Sequence, residues 1–264
     1  MIPLRAIPDV CRVKFARLIA YRAEMIIWIF TALLPLVMLA MWQTVATDNP
    51  IGNYGQTEFT RYFISTLIVR QLIGAWVVWQ MNFDIRSGAL SAQLLRPVNP
   101  IVVYALWMLT AVPLRVIYLS PLIAFLIFWQ PDILYVPDFF IGFLFIWSSL
   151  LAWGIAFLIQ CLFGILAFWL DRTEGLFGVW IAAWAVLSGY IAPLDLFPER
   201  FQTILYWLPF RSMLATPVEL LSGFLTAEEA LSAVAVQTLW FVVSALATVW
   251  LWKKGVKKYG AFGA

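Results

Sequence analysis

The sequence predicts an all-α polytopic membrane protein with about six transmembrane helices. Three observations carry that expectation. Of 264 residues, 64% are hydrophobic and only 12% are charged; a soluble surface needs far more charge, whereas lipid accepts apolar side chains all round a helix. Apolar runs of about 20 residues or more recur along the chain, each sufficient for a crossing. Lys and Arg collect in alternate connecting segments, as they do when one set of loops faces the cytosol. The chain 1–264 reads as one transmembrane unit, with no stretch left over for a separate soluble domain.

Taken in order, residues 9–22 contain neither Gly nor Pro, and helical spacing places Lys14, Arg17 and Tyr21 opposite Cys11, Phe15, Leu18 and Ile19. This predicts an interfacial elbow helix whose Lys14 and Arg17 anchor it to anionic lipid. The alternative is an ordinary basic flank, since Arg12 and Arg22 interrupt the apolar face. Apolar runs follow at 25–46, 59–80, 101–129, 139–170, 176–192 and 230–252. The first is too long for a signal peptide and lacks a small-residue cleavage site. The third and fourth exceed one crossing and should tilt, kink or project, with Pro113 and Pro121 as kink points in the third.

With the N terminus inside, Arg5, Arg12, Lys14, Arg17, Arg22, Arg86, Arg96, Arg172, Lys253, Lys254, Lys257 and Lys258 fall on the cytosolic side, and Arg61, Arg200 and Arg211 on the other. The carboxylates lean outward, from Asp48, Glu58, Asp132 and Asp138 to Asp195, Glu199, Glu219, Glu228 and Glu229. Both termini are therefore expected in the cytosol, with Lys253, Lys254, Lys257 and Lys258 as an inner-leaflet anchor. Glu228 and Glu229 read as a solvated outer helix start after Thr226.

Several function classes are disfavoured. His is absent, which removes the commonest metal ligand and general base. There is no phosphate-binding loop, no G-x-S-x-G elbow and no Cys pair at metal spacing. Cys11 and Cys161 lie in a basic segment and an apolar span, so a disulfide between them is not expected. A net charge of +3 does not suggest nucleic acid. This chain is expected to hold no cofactor and no metal and to catalyse no bond change; any energy input comes from a partner.

The polar island 84–97 separates the second and third apolar runs on the basic side. The spacing of Arg86, Ser87, Leu90 and Leu94 suits a short helix stopped by Pro97, and Gly88 permits close approach of a partner. A plain polar loop is the alternative. At these residues the chain resembles the permease subunits of ABC-2-type transporters. Ile85-Arg86-Ser87-Gly88-Ala89-Leu90, then Leu94-Leu95-Arg96-Pro97-Val98, is similar to that family's cytoplasmic segment after the second helix, with its Gly-x-Leu core and Leu-x-x-Pro end. The resemblance implies a coupling helix in which Arg86, Ser87, Gly88, Leu90, Leu94, Leu95, Arg96 and Pro97 engage a separate ATPase.

A second resemblance covers 193–226. Tyr190-Ile191-Ala192-Pro193-Leu194-Asp195-Leu196-Phe197-Pro198, with Leu208-Pro209-Phe210 and Thr216-Pro217-Val218-Glu219-Leu220, is too apolar for a free loop and too rich in proline for one helix. Short re-entrant or interfacial helices are expected, as in the same family. The match most resembles the six-helix subfamily often encoded as paired permeases. It implies an exporter in the cytoplasmic membrane of a prokaryote, paired with a second permease, identical or related, and with ATP-binding-cassette ATPase subunits that carry ATP and magnesium. A lipid-linked, glycan or amphipathic substrate fits that architecture.

Arg70 and Arg115 fall near mid-depth with no carboxylate at that level in any predicted span. Water, carbonyls, lipid phosphate or substrate must satisfy them. They are candidates for the translocation path; the alternative is a structural role, by snorkelling or by bonds to neighbouring carbonyls. Ser148, Ser149, Gly154 and Gly164 suit close helix packing, with a dimer interface as one use. Asp171 to Gly175 suggests a tight cytosolic turn and a minor ATPase contact. The rival reading is a stand-alone secondary transporter or assembly factor. It would favour an internal repeat and a mid-depth carboxylate, and the sequence presents neither.

Overall fold

The computed structural model describes residues 33–47, 49–129, 135–170 and 173–261. The expected elbow 9–22, with Lys14 and Arg17, lies outside the described residues, as do Asp171 and Arg172. Among the described residues the chain is helical apart from turns and one isolated bridge between Ile51 and Tyr54.

Helix α1 (Leu34–Val45) is the described part of the first apolar run. A turn closed by reciprocal backbone bonds between Ile51 and Tyr54 leads to α2 (Gln56–Ile73), whose first turn is capped where Glu58 Oε2 accepts the Gly55 N–H at 2.9 Å. The run expected to be continuous over 59–80 is instead broken. Gly74, Ala75 and Trp76 are non-helical, and α3 (Val77–Arg86) resumes beyond them.

The island is also shorter as a helix than its spacing suggests. Asp84 to Arg86 belong to α3, and α4 is confined to Ala89–Leu94. Gly88 lies between them at φ +80°, a left-handed conformation that costs a residue with a side chain about 1–2 kcal/mol. The third run divides at Ala111 into α5 (Pro100–Thr110) and α6 (Val112–Trp129). Asn99 Oδ1 caps α5 by accepting the Ile101 N–H at 2.9 Å. Pro113 sits in the first turn of α6, where its missing N–H has no helical partner to lose, while Pro121 is carried inside that helix.

Helix α7 (Phe139–Ile165) starts at Asp138, which accepts the Ile141 N–H at 2.8 Å, and continues as a 3₁₀ turn over Leu166–Phe168. Then come α8 (Glu174–Leu187), the short helices α9 (Glu199–Trp207), α10 (Pro209–Met213) and α11 (Ala215–Ser222), and α12 (Ala227–Ala261). The stretches Gln56–Arg86, Pro100–Leu126, Phe139–Phe168 and Ala227–Tyr259 are long and apolar enough to cross a membrane; α1 and α8 are shorter apolar helices.

At the centre stands α7, packed against α2, α3, α11 and α12. Its small residues are filled from within the chain. Gly154 lies under the Phe241 ring of α12, Gly164 under Met81 of α3, and the buried Ser148 accepts at its carbonyl from Gln237 Nε2 at 3.0 Å. At Gly154, Gly164 and Ser148 the close approach is made by other helices of the same chain. In contrast, only 17% of an 18-residue apolar window of Pro100–Leu126 is buried, against 72% of the corresponding window of Gln56–Arg86, so α5 and α6 form the periphery.

Two ends of the bundle are chemically distinct. Ser91 Oγ lies 3.0 Å from Tyr259 OH, and Asn82 Nδ2 donates to Thr173 Oγ1 at 2.5 Å, which gathers the island, the start of α8 and the end of α12. At the other end Tyr54 OH donates to Asp195 Oδ2 at 2.9 Å and Tyr206 OH to Ser232 Oγ at 3.0 Å. Arg86, Arg96 and the lysines of α12 belong to the first end; Glu58, Asp195, Glu199, Glu228 and Glu229 belong to the second.

Candidate functional site

The island is built from beneath. Leu90 is fully buried with Ile85, Tyr104 and Cys161, and Leu94 packs partly against them; burial of a leucine side chain contributes about 1.5–3 kcal/mol. Asp84, buried near the end of α3, accepts from Gln80 Nε2 at 2.8 Å, Gln93 Nε2 at 2.7 Å and Tyr104 OH at 2.5 Å. A buried carboxylate requires such donors, and here they belong to α3, α4 and α5. One side chain thereby ties three helices together. On the opposite side Arg86, Ser87, Gly88, Arg96 and Pro97 are exposed, and Leu95 projects with 89% of its surface free. Of the expected coupling residues, then, Leu90 and part of Leu94 support the island and the others form its outer surface.

The break between α2 and α3 is the second notable feature. Helix ends leave carbonyl and N–H groups unpaired, and apolar surroundings offer no water to pair them. Gln160 of α7 donates through Nε2 to Ala75 O at 2.6 Å and accepts the Val77 N–H at Oε1 at 3.0 Å. Arg115 donates to Gly74 O at 2.9 Å and, at 3.4 Å, to Ala111 O and Met108 O. A Cβ at Gly74 would overlap the Arg115 guanidinium, so any larger residue there obliges that side chain to move. Arg115 thus has backbone carbonyl partners.

Arg70 differs. Its guanidinium carbon stands 5.0 Å from the ring centroid of Trp184, 5.7 Å from Trp76 and 5.8 Å from Tyr190. Each such contact contributes about 0.5–2 kcal/mol, but a ring face does not satisfy an N–H as a lone pair does. Among the described residues, Arg70 Nε and Trp184 Nε1 are both buried without a hydrogen-bond partner. The buried carboxylates of the described residues are Asp84 and Glu219; Asp84 is occupied as above, and Glu219 pairs with Arg211 at 2.6 Å. A cavity of about 60 Å³ opens at the break, lined by Arg70, Trp76, Gln160, Phe177, Trp180 and Trp184 among others.

Sequence reasoning brought Arg70 and Arg115 to one depth but missed Gln160, Trp184 and the role of Asp84. It also missed the Arg211–Glu219 pair, in which Arg211 additionally lies 4.7 Å over the Tyr206 ring. At the same end burial, reinforced by Asp195, raises the Tyr54 hydroxyl well above its ordinary value, so it stays protonated and donates. On α12, Lys253, Lys254 and Lys257 are exposed; Lys254 Nζ lies 3.8 Å over Trp250, and Lys258 Nζ 5.9 Å over Trp169.

Residues 26–263 match the family described as ABC-2 family transporter protein. No curated protein matches the chain.

Proposed function

The chain belongs to the ABC-2 transporter family and is a multi-pass membrane protein of transport, and from that premise we propose that it is the permease subunit of an ATP-binding-cassette exporter in the cytoplasmic membrane of a prokaryote. Two permeases, identical or related, pair and bind ATPase subunits that carry ATP and magnesium. The N and C termini and the island face the cytosol, and the chain crosses the membrane six times. Lys253, Lys254, Lys257 and Lys258 hold the end of α12 at the inner leaflet, with Lys14 and Arg17 serving the same purpose at the other terminus.

The observation that carries this reading is the exposed Leu95 between Arg86 and Arg96, at the end of a short helix fastened to the bundle by Asp84. A singly exposed leucine is ordinary by itself; its place on the island between two cations, in a chain of this family, is what supports the island as the ATPase contact. Movement of the ATPase at this surface passes through Asp84 into α3 and α5, and α3 turns about the break at 74–76. Arg70 faces the translocation path there, and Arg115 shapes its wall.

The test is purification of the intact chain from native membranes in mild detergent. An ATP-binding-cassette ATPase is expected to accompany it and to be lost with Leu95→Glu, while Leu239→Ala, on the exposed apolar face of α12, retains it. A permease assembly preserved without any ATPase would contradict the reading and favour a stand-alone transporter or assembly factor.

A further inference from the structure

We propose that the cavity at the α2–α3 break binds a phosphate-type oxyanion, held by Arg70 and the Trp184 indole N–H, with the body of an amphiphile lying against the aromatic wall. The charge balance requires an anion first. Arg70 has no carboxylate partner among the described residues, and both buried carboxylates of those residues are committed elsewhere. Arg115, its neighbour across Gly74, brings a second positive charge, offset by carbonyl dipoles alone. The C-terminal end of α2 and the N-terminal end of α3 meet at this break, so their dipoles offset each other and the net positive charge there is that of the two arginines. Cations with no anion in a water-poor site are costly, and a ligand that supplies the anion removes that cost.

The donors also converge. Arg70 Nε and Trp184 Nε1 are buried and unpaired among the described residues, and both residues line the cavity. Trp184 retains only 9% of its surface, so its N–H has no access to bulk solvent to compensate. Oxyanions accept such donors with charge assistance. Gln160, by contrast, is used on both sides by the backbone and contributes wall, not binding capacity.

The remaining lining indicates what carries the anion. Phe177, Trp180, Ile181 and Trp184 all come from α8. The outward side of that helix exposes Leu176 at 48%, Val179 at 72% and Val186 at 46%. The cavity is therefore one helix removed from an apolar exterior, and an acyl or aromatic body has an apolar surface to follow while its head reaches Arg70. This proposal rests on the permease reading only for the fate of the ligand; binding itself needs no ATPase.

The experiment uses the full chain in phosphatidylcholine nanodiscs, with radiolabelled dodecyl phosphate and radiolabelled inorganic phosphate as separate probes and empty nanodiscs subtracted. Saturable binding of dodecyl phosphate is expected, at least tenfold weaker in Arg70→Gln and several-fold weaker in Trp184→Phe, which keeps the ring and removes only the donor. Dodecylphosphocholine, whose head is neutral overall, should compete at least tenfold less well. Saturable, Arg70-dependent binding of inorganic phosphate with equal affinity would support the oxyanion site and identify a soluble source for it. Binding of either probe that is unchanged in both variants, or no saturable binding to the parent chain, overturns the proposal. Because no ATPase is present, that failure is distinct from failure to recover the ATPase with the intact chain.

Discussion

The two ends of α3 solve the same problem in opposite ways. Each places a charge beside a helix terminus, Asp84 buried and Arg70 half-buried. At the Arg86 end, Asp84 receives three donors from three helices, shared between both of its oxygens. At the Val77 end, Gln160 and Arg115 pair the Gly74 and Ala75 carbonyls and the Val77 N–H, yet Arg70 keeps an unpaired donor beside a cavity. A saturated network fixes geometry, whereas an unsaturated one reserves energy for something that arrives later. The first end is built as a rigid connection for force, and the second as a place for a ligand.

The largest expected effect comes from removing the saturated charge. Asp84→Ala leaves Gln80, Gln93 and Tyr104 without their acceptor, and a loss of about 3–5 kcal/mol is expected. Thermal unfolding in detergent measures it, and a fall no greater than that of a surface control would break the contrast drawn here. Gln160→Leu comes next. The Val77 N–H and Ala75 carbonyl lose their partners inside the bundle, for about 2–4 kcal/mol, and amide exchange at Val77 should accelerate in step with the lower melting temperature.

Gly74→Ala sharpens the comparison further, because its Cβ displaces the Arg115 guanidinium from Gly74 O. We expect about 1–3 kcal/mol of destabilisation, with partial recovery in the double variant Gly74→Ala, Arg115→Lys, whose slimmer side chain gives way. The smallest effect on stability belongs to Leu95→Glu. At 89% exposure it should change stability by no more than about 0.5 kcal/mol while abolishing recovery of the ATPase; a parallel loss of stability would show that Leu95 serves the fold instead.

Much of this architecture was legible in the sequence because apolar runs and charged loops are local signals. The runs at 139–170 and 230–252 correspond to α7 and α12, and 101–129 to α5 and α6. The break at 74–76 was not legible, since it contains no proline and its stabilising partner Gln160 stands 85 residues from Ala75. The island was read as one element because its helical spacing passes through Gly88 without interruption; only the positive φ there separates α3 from α4.

Arg70 and Arg115 were indistinguishable as letters in apolar runs. A carbonyl acceptor such as Gly74 O leaves no sequence signature, so the pairing of one arginine and the isolation of the other emerged only in three dimensions. Arg211 and Glu219 are eight residues apart across the junction of α10 and α11, a separation that matches no single-helix pairing rule. Small residues at 148, 149, 154 and 164 do signal close approach, but their spacing does not say whether the neighbour is the same chain or another. Here Phe241 and Met81 occupy Gly154 and Gly164.

The most direct measurement compares the unfolding of Arg70→Gln with that of Asp84→Ala in the absence of ligand. Arg70 is half-buried and held by ring faces, whereas removing the buried Asp84 carboxylate leaves three donors from three helices without their acceptor. Arg70→Gln loses ring contacts alone and should therefore melt much closer to the parent temperature than Asp84→Ala does. If Arg70→Gln falls as far as Asp84→Ala, Arg70 is a structural brace, and the division of α3 into a rigid end and a ligand-ready end is wrong.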